Sequence, residues 1–189
     1  MDLPLGVGMV QPYLVPGQAL YFYGVPPRDG LPGEAAPVDS LTFLAGPYYT
    51  DVATAPPWFV PEVFKLDYNL LYLRAKTLTL HWIEVVVNTQ TGETRWVDRH
   101  AVAFVDWPTF LLGAVSVEVI APEANPIRSG PGEETALLDA KPDEPLQPQA
   151  VQGGWMKVGA SIFADRAVPT GWIRWHGGER LVIDYALLS

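Results

Sequence analysis

Trp155-Met156-Lys157-Val158, then Gly171-Trp172-Ile173-Arg174, then Ile183-Asp184-Tyr185 with Leu187-Leu188, is the stretch that decides the fold. It has a counterpart upstream: Trp82-Ile83-Glu84-Val85, then Arg95-Trp96-Val97-Asp98, then Val105-Asp106-Trp107 with Leu111-Leu112. Order and residue character are preserved, and only the connecting turns change length. An internal repeat of this kind reveals architecture before any single element does. Side chains alternate across a strand, so each segment carries an inner and an outer set. Hairpin pairing places the large aromatics near one another across strands. Asn88-Thr89-Gln90-Thr91-Gly92 supplies the turn chemistry of the first hairpin.

Trp-hydrophobic-Lys-Val followed by Gly-Trp-Ile-Arg resembles the core of bacterial SH3-like (SH3b) domains. Asn125-Pro126-Ile127-Arg128-Ser129-Gly130-Pro131-Gly132 is similar to that family's opening strand, where an Arg and a Gly-Pro pair lead into the first loop. The resemblance implies a mainly β chain of two small SH3-like barrels in tandem, with long irregular loops and little helix. The second copy is expected over residues 116–189. The first, more divergent, is expected over 18–113, with Leu20-Tyr21-Phe22-Tyr23-Gly24-Val25-Pro26 as its opening strand. In that copy Arg95-Trp96 replaces Gly-Trp, and residues 45–62 form an insertion.

Residues 1–17 read as an extended leader. The Pro26-Pro27 pair ends a first short strand, residues 28–39 form a Gly/Pro loop, and Leu41–Leu44 is a second short strand. Gly46–Pro61 reads as long and irregular. Residues 77–87 are β-branched and aromatic, which reads as one strand or two with a bend. Asp106-Trp107-Pro108 starts a single helical turn, with Asp106 as its cap. Further short strands are expected at 135–138 and 181–183, with a terminal turn after Asp184. Asp106 and Asp184 fall at matching repeat positions, where a capping role accounts for both.

Composition narrows the function. The 189 residues include seven Trp, eight Tyr, nineteen Pro and seventeen Gly, which suits many short strands joined by irregular turns. Net charge is −9, and the twelve Lys and Arg are thinly spread, so neither nucleic acid nor an anionic membrane is an expected partner. No apolar window of about 18 residues lacks charges or breakers, so no membrane insertion is expected. The chain has no Cys, which removes disulfides, thiolate zinc sites and cysteine nucleophiles. His81, His100 and His176 lack metal-ligand spacing, and no nucleophile elbow or phosphate-binding loop occurs. No catalytic residue, metal or cofactor is expected. The first basic residue is Arg28, so the N-terminus does not read as a signal peptide, but Asp2-Leu3-Pro4-Leu5-Gly6 resembles a segment following a cleaved one; export to the periplasm or outside is the favoured expectation, and a cytoplasmic protein is the alternative.

The candidate ligand-binding residues are Tyr48, Tyr49, Trp58 and Phe59. Aromatics among prolines stack on sugars, peptides or Pro-rich strands when exposed, and cover a barrel when buried. Trp82, Trp96, Trp155 and Trp172 read as core and hairpin packing. Together these point to a non-catalytic binding module for a cell-wall peptide, glycan or protein ligand. The alternative is an acidic protein–protein partner such as an immunity protein, inhibitor or structural subunit, using Glu133, Glu134, Asp139, Asp143 and Glu144.

Overall fold

Met9 and Val10, inside the expected leader, are fully buried, and they set the architecture of the first half of the chain. The computed structural model describes residues 3–26 and 30–188. Two leader residues (Met1, Asp2), Pro27 of the turn, Arg28 and Asp29 of the loop, and Ser189 lie outside the described residues. The chain divides into two compact units, Met1–Asp106 and Trp107–Ser189. Both are mainly β.

The first unit contains β1 (Gly8–Pro12), β2 (Ala19–Phe22), β3 (Asp39–Ala45), β4 (Thr50–Thr54), β5 (Val63–Lys65), β6 (Leu70–Leu78), β7 (Trp82–Asn88), β8 (Glu93–Asp98) and β9 (Val102–Asp106). One sheet runs β8-β7-β6-β1-β9, with β5 beside β6, and a second runs β2-β3-β4. β1 is therefore an interior strand, paired with β6 on one side and β9 on the other. The extended-leader expectation is corrected for these residues: the five-residue run from Gly8 to Pro12, with Met9 and Val10 buried in it, finds partners on both edges. The segment before it is also held, since the Arg74 guanidinium donates to the carbonyls of Leu3 and Pro4 and pairs with Glu62. Gly6, at φ +67°, fits because a Cβ there would lie 2.2 Å from the Ala75 carbonyl oxygen.

The 77–87 stretch is two strands. Thr79 turns the chain, with its hydroxyl bonded to both the N–H and the carbonyl of Trp82. The β7–β8 turn forms as the sequence specifies. The Asn88 side chain accepts from the N–H groups of Gln90 and Thr91, and Gly92 takes φ +75°.

The second unit contains α1 (Trp107–Leu112), β10 (Ser116–Val119), β11 (Leu146–Gln152), β12 (Trp155–Ala160), β13 (Gly171–Arg174), β14 (His176–Gly177), β15 (Arg180–Leu181) and β16 (Ile183–Ala186). Its main sheet runs β13-β12-β11-β10-β16, all antiparallel. The expected strand at 135–138 reduces to one bridge, Arg128 to Leu137. The expected terminal turn after Asp184 is instead strand β16, because pairing with β10 extends to Ala186. The helical turn after Asp106 is present as α1, and it falls in the second unit.

The two main sheets share one strand order. Cross-strand pairs Trp82–Asp98, Ile83–Val97, Glu84–Trp96 and Val85–Arg95 in the first unit match Trp155–Arg174, Met156–Ile173, Lys157–Trp172 and Val158–Gly171 in the second. Each neighbouring strand carries a bulge at the same place, at Lys76 between Ala75 and Thr77 and at Gln149 between Pro148 and Ala150. Each hairpin also receives one two-bond bridge from upstream, Tyr23 to Trp96 and Arg128 to Trp172. Following this register, Val10 corresponds to Val117, and Phe104 to Tyr185. Asp106 lies opposite Gly8, whereas Asp184 lies opposite Glu118, so their expected equivalence is corrected. The shared Asp-aromatic pair is a coincidence of sequence that the pairing shifts apart.

Candidate functional site

The four candidate aromatics separate into two pairs. The residue 45–62 insertion is not a structureless loop: Ala45 ends β3, Thr50–Thr54 forms β4, and Val60 bridges to Asn88. Trp58 and Phe59 turn inward. The Trp58 ring meets Phe22 edge-on at 5.2 Å between centroids, and the Phe59 ring lies 5.8 Å from Phe22. Asn88 donates to the Trp58 carbonyl at 2.8 Å. Both rings pack on the buried cluster that includes Leu20, Phe22, Leu41 and Leu71. They close the core of the first unit.

Tyr48 and Tyr49 turn outward. They occupy the four-residue connection between β3 and β4, closed by the Gly46 N–H bonded to the Tyr49 carbonyl at 2.9 Å. A Cβ on Gly46 would lie 2.6 Å from that oxygen, so the turn requires glycine there. Tyr48 is 94% exposed and Tyr49 37%. Along β3, Leu41 and Phe43 are buried, and Leu44 and Ala45, just before the turn, are exposed. The tip is thus an aromatic pair held by a short hairpin whose inner face is anchored in the core.

Of the four hairpin tryptophans, only Trp82 is fully covered. The Tyr23 ring lies edge-on at 4.9 Å, and the Trp82 indole N–H donates to the Gly30 carbonyl. Trp96, Trp155 and Trp172 are half-buried on the outer faces of their sheets. Sequence reasoning grouped all four as packing residues; the outer position of the Trp155 face was implicit in the alternation around Met156 and Val158.

In the second unit, a groove of about 470 Å³ runs between residues 138–144 and 166–168. Arg166 spans it, bonded to Glu144 at 2.7 Å and to Asp143 at 3.1 Å. The N–H of Asp165 and then Arg166 hold the Glu144 carboxyl below the ordinary glutamate range, and Arg166 does the same for Asp143. Arg166 and these two carboxylates therefore satisfy one another. Of the acidic run, Glu133 is also paired, with Arg128 and Arg174.

The three histidines lie apart. His81 is in the β6–β7 turn, His100 in a 3-10 turn after β8, and His176 in β14. Among the described residues no group of three or more His, Asp or Glu is placed to hold a metal ion. No described helix is long and apolar enough to cross a membrane.

No family model matches the chain, and no curated protein matches it. Among solved structures the chain is similar to NlpC2 from Trichomonas vaginalis, at 9% identity and a TM-score of 0.33. That match covers 90% of this chain and 46% of the other, so the chain spans less than half the length of that structure.

Proposed function

We propose that the chain is a non-catalytic binding module of an exported bacterial protein, built from two SH3-like units, and that it holds a cell-wall peptide or glycan on the tip carrying Tyr48 and Tyr49. The matching strand order, register and bulge position of the two units support the tandem SH3-like reading. The observation that carries the binding reading is the exposure of Tyr48, at 94%, on a hairpin only four residues wide. A ring displayed on a short, anchored turn loses little freedom on binding, and its π-face stacks on sugar rings or peptide planes. The neighbouring pair Trp58 and Phe59 serves the core instead, so the tyrosines are spare aromatic surface.

The reading as an acidic protein partner draws less support. It needs a free negative patch, and Glu133, Asp143 and Glu144 in the acidic run are engaged with arginines.

Co-sedimentation with purified bacterial peptidoglycan tests the proposal. The intact chain pellets with the insoluble glycan, and the Tyr48→Ala/Tyr49→Ala double variant stays in solution with an unchanged thermal melt. Failure of the intact chain to pellet, or equal pelleting of both proteins, contradicts the proposal.

A further inference from the structure

The second unit presents a surface that the first does not. Trp155, Lys157, Trp172 and Arg174 share the outer face of β12 and β13, because Trp155 lies opposite Arg174 and Lys157 opposite Trp172. Arg128 joins them by its bridge to Trp172. The guanidinium carbon of Arg174 lies 4.6 Å from the centre of the Trp155 ring, and that of Arg128 lies 6.0 Å from it. Three cations and two half-buried indoles thus alternate on one sheet face.

The fold does not demand these cations. At the matching register positions the first unit has Tyr23 for Arg128, Glu84 for Lys157 and Asp98 for Arg174. The same strand order forms there with a neutral and two acidic residues. A side-chain set that the architecture tolerates in opposite charge is free to serve recognition.

The face already holds one carboxylate. Glu133, its side chain 58% exposed on the connecting loop, places Oε1 at 2.7 Å from Nε and 2.6 Å from a terminal nitrogen of Arg174, and Oε2 at 2.8 Å from Arg128. Arg128 also donates to the carbonyls of Glu133 and Thr135. The occupant is therefore a short acidic peptide segment, gripped by side chain and backbone together, as forked guanidinium donors favour. Arg174 holds the Glu133 carboxyl below the ordinary glutamate range. Lys157 has no ion-pair partner among the described residues.

We propose that this face of the second unit is a binding site for an acidic peptide, and that Glu133 occupies it as an internal competitor which the ligand displaces. The proposal concerns a different unit and different residues from the tyrosine tip, and it stands or falls separately from peptidoglycan retention. The chain's net charge of −9 opposes an acidic ligand only weakly at physiological salt, where screening acts over about 8 Å. An attached competitor acts at a millimolar effective concentration, so removing it raises affinity without adding a contact.

The test is fluorescence anisotropy of the intact protein with labelled hexaglutamate, against hexaglutamine and a uronic-acid hexasaccharide. Glu133→Gln binds hexaglutamate about tenfold more tightly than the unaltered protein, and Lys157→Glu binds it about tenfold more weakly. Lys157 makes no ion pair among the described residues, so its substitution breaks no salt bridge, and a thermal melt no lower than the parent's shows that the variant is folded. Equal affinity across the three proteins overturns the proposal. So does binding of hexaglutamine or of the uronic acid as tight as that of hexaglutamate.

Discussion

The guanidinium carbon of Arg95 lies 5.1 Å from the centre of the Trp58 ring, at the strand position where the second unit has Gly171. The inserted segment of the first unit thus places Trp58 and Phe59 beside Phe22, whereas in the second unit Ile127 lies close against Gly171. Trp58→Ala removes a ring packed on Phe22 and uncovers Arg95. Its stability falls by about 2–3 kcal/mol, while Tyr48→Ala stays within about 0.5 kcal/mol of the parent. Urea unfolding of the three proteins reads the difference.

Gly171 accounts for the Gly-Trp of the second hairpin. A Cβ there would lie 2.3 Å from Ile127 Cγ2, 2.8 Å from the Arg128 carbonyl oxygen and 2.9 Å from Leu138 Cδ1. Gly171→Ala forces backbone and core apart and destabilises by about 1–3 kcal/mol. Gly24→Ala, where a Cβ meets nothing within 4 Å, serves as the neutral comparison. Thermal melts of both variants distinguish the two sites.

Asn125 ties the opening segment of the second unit to β13. Its side chain accepts from the Arg174 N–H at 2.9 Å and donates to the Arg174 carbonyl at 2.8 Å, and the residue is buried. Asn125→Ala leaves both backbone groups without their partner and costs about 2 kcal/mol. Chemical denaturation measures that loss, and amide exchange at Arg174 accelerates with it.

Glu84 gives the first unit a pH dependence. Burial raises its carboxyl pKa, but hydrogen bonds from Thr77 and Thr94 at 2.9 Å, and from Lys76 at 3.1 Å, favour the charged form more strongly. The folded-state pKa is therefore below the ordinary glutamate range. The stabilisation is fully present above that ordinary range and is lost as pH falls through the depressed value. Glu84→Gln is about 1 kcal/mol less stable than the parent at neutral pH, and the gap closes in acid. Urea titrations across the acidic range follow the closure.

Much of this was legible from local chemistry. The β7–β8 and β12–β13 hairpins announced themselves through β-branched and aromatic alternation around turn residues such as Asn88 and Gly92. β1 did not, because Met9 and Val10 sit among prolines and glycines, and the strands that pair with them, β6 and β9, are distant in sequence. The insertion aromatics were legible as a group but not as individuals. Trp58 and Tyr48 have similar Pro-flanked contexts, and only the position of Phe22 sends one inward. The Asp106–Asp184 match failed because residue type can repeat where strand register does not. The cationic face of the second unit was hidden until pairing placed Lys157, Arg128 and Arg174 around Trp155 and Trp172.

The most direct test of the shared wiring is a set of cross-strand nuclear Overhauser effects in the intact, isotope-labelled chain. Val10 shows contacts to Leu73 and Phe104, and Val117 shows the matching contacts to Leu146 and Tyr185. A Val10 without strand partners, or a Val117 paired with a strand from residues 1–106, contradicts the account.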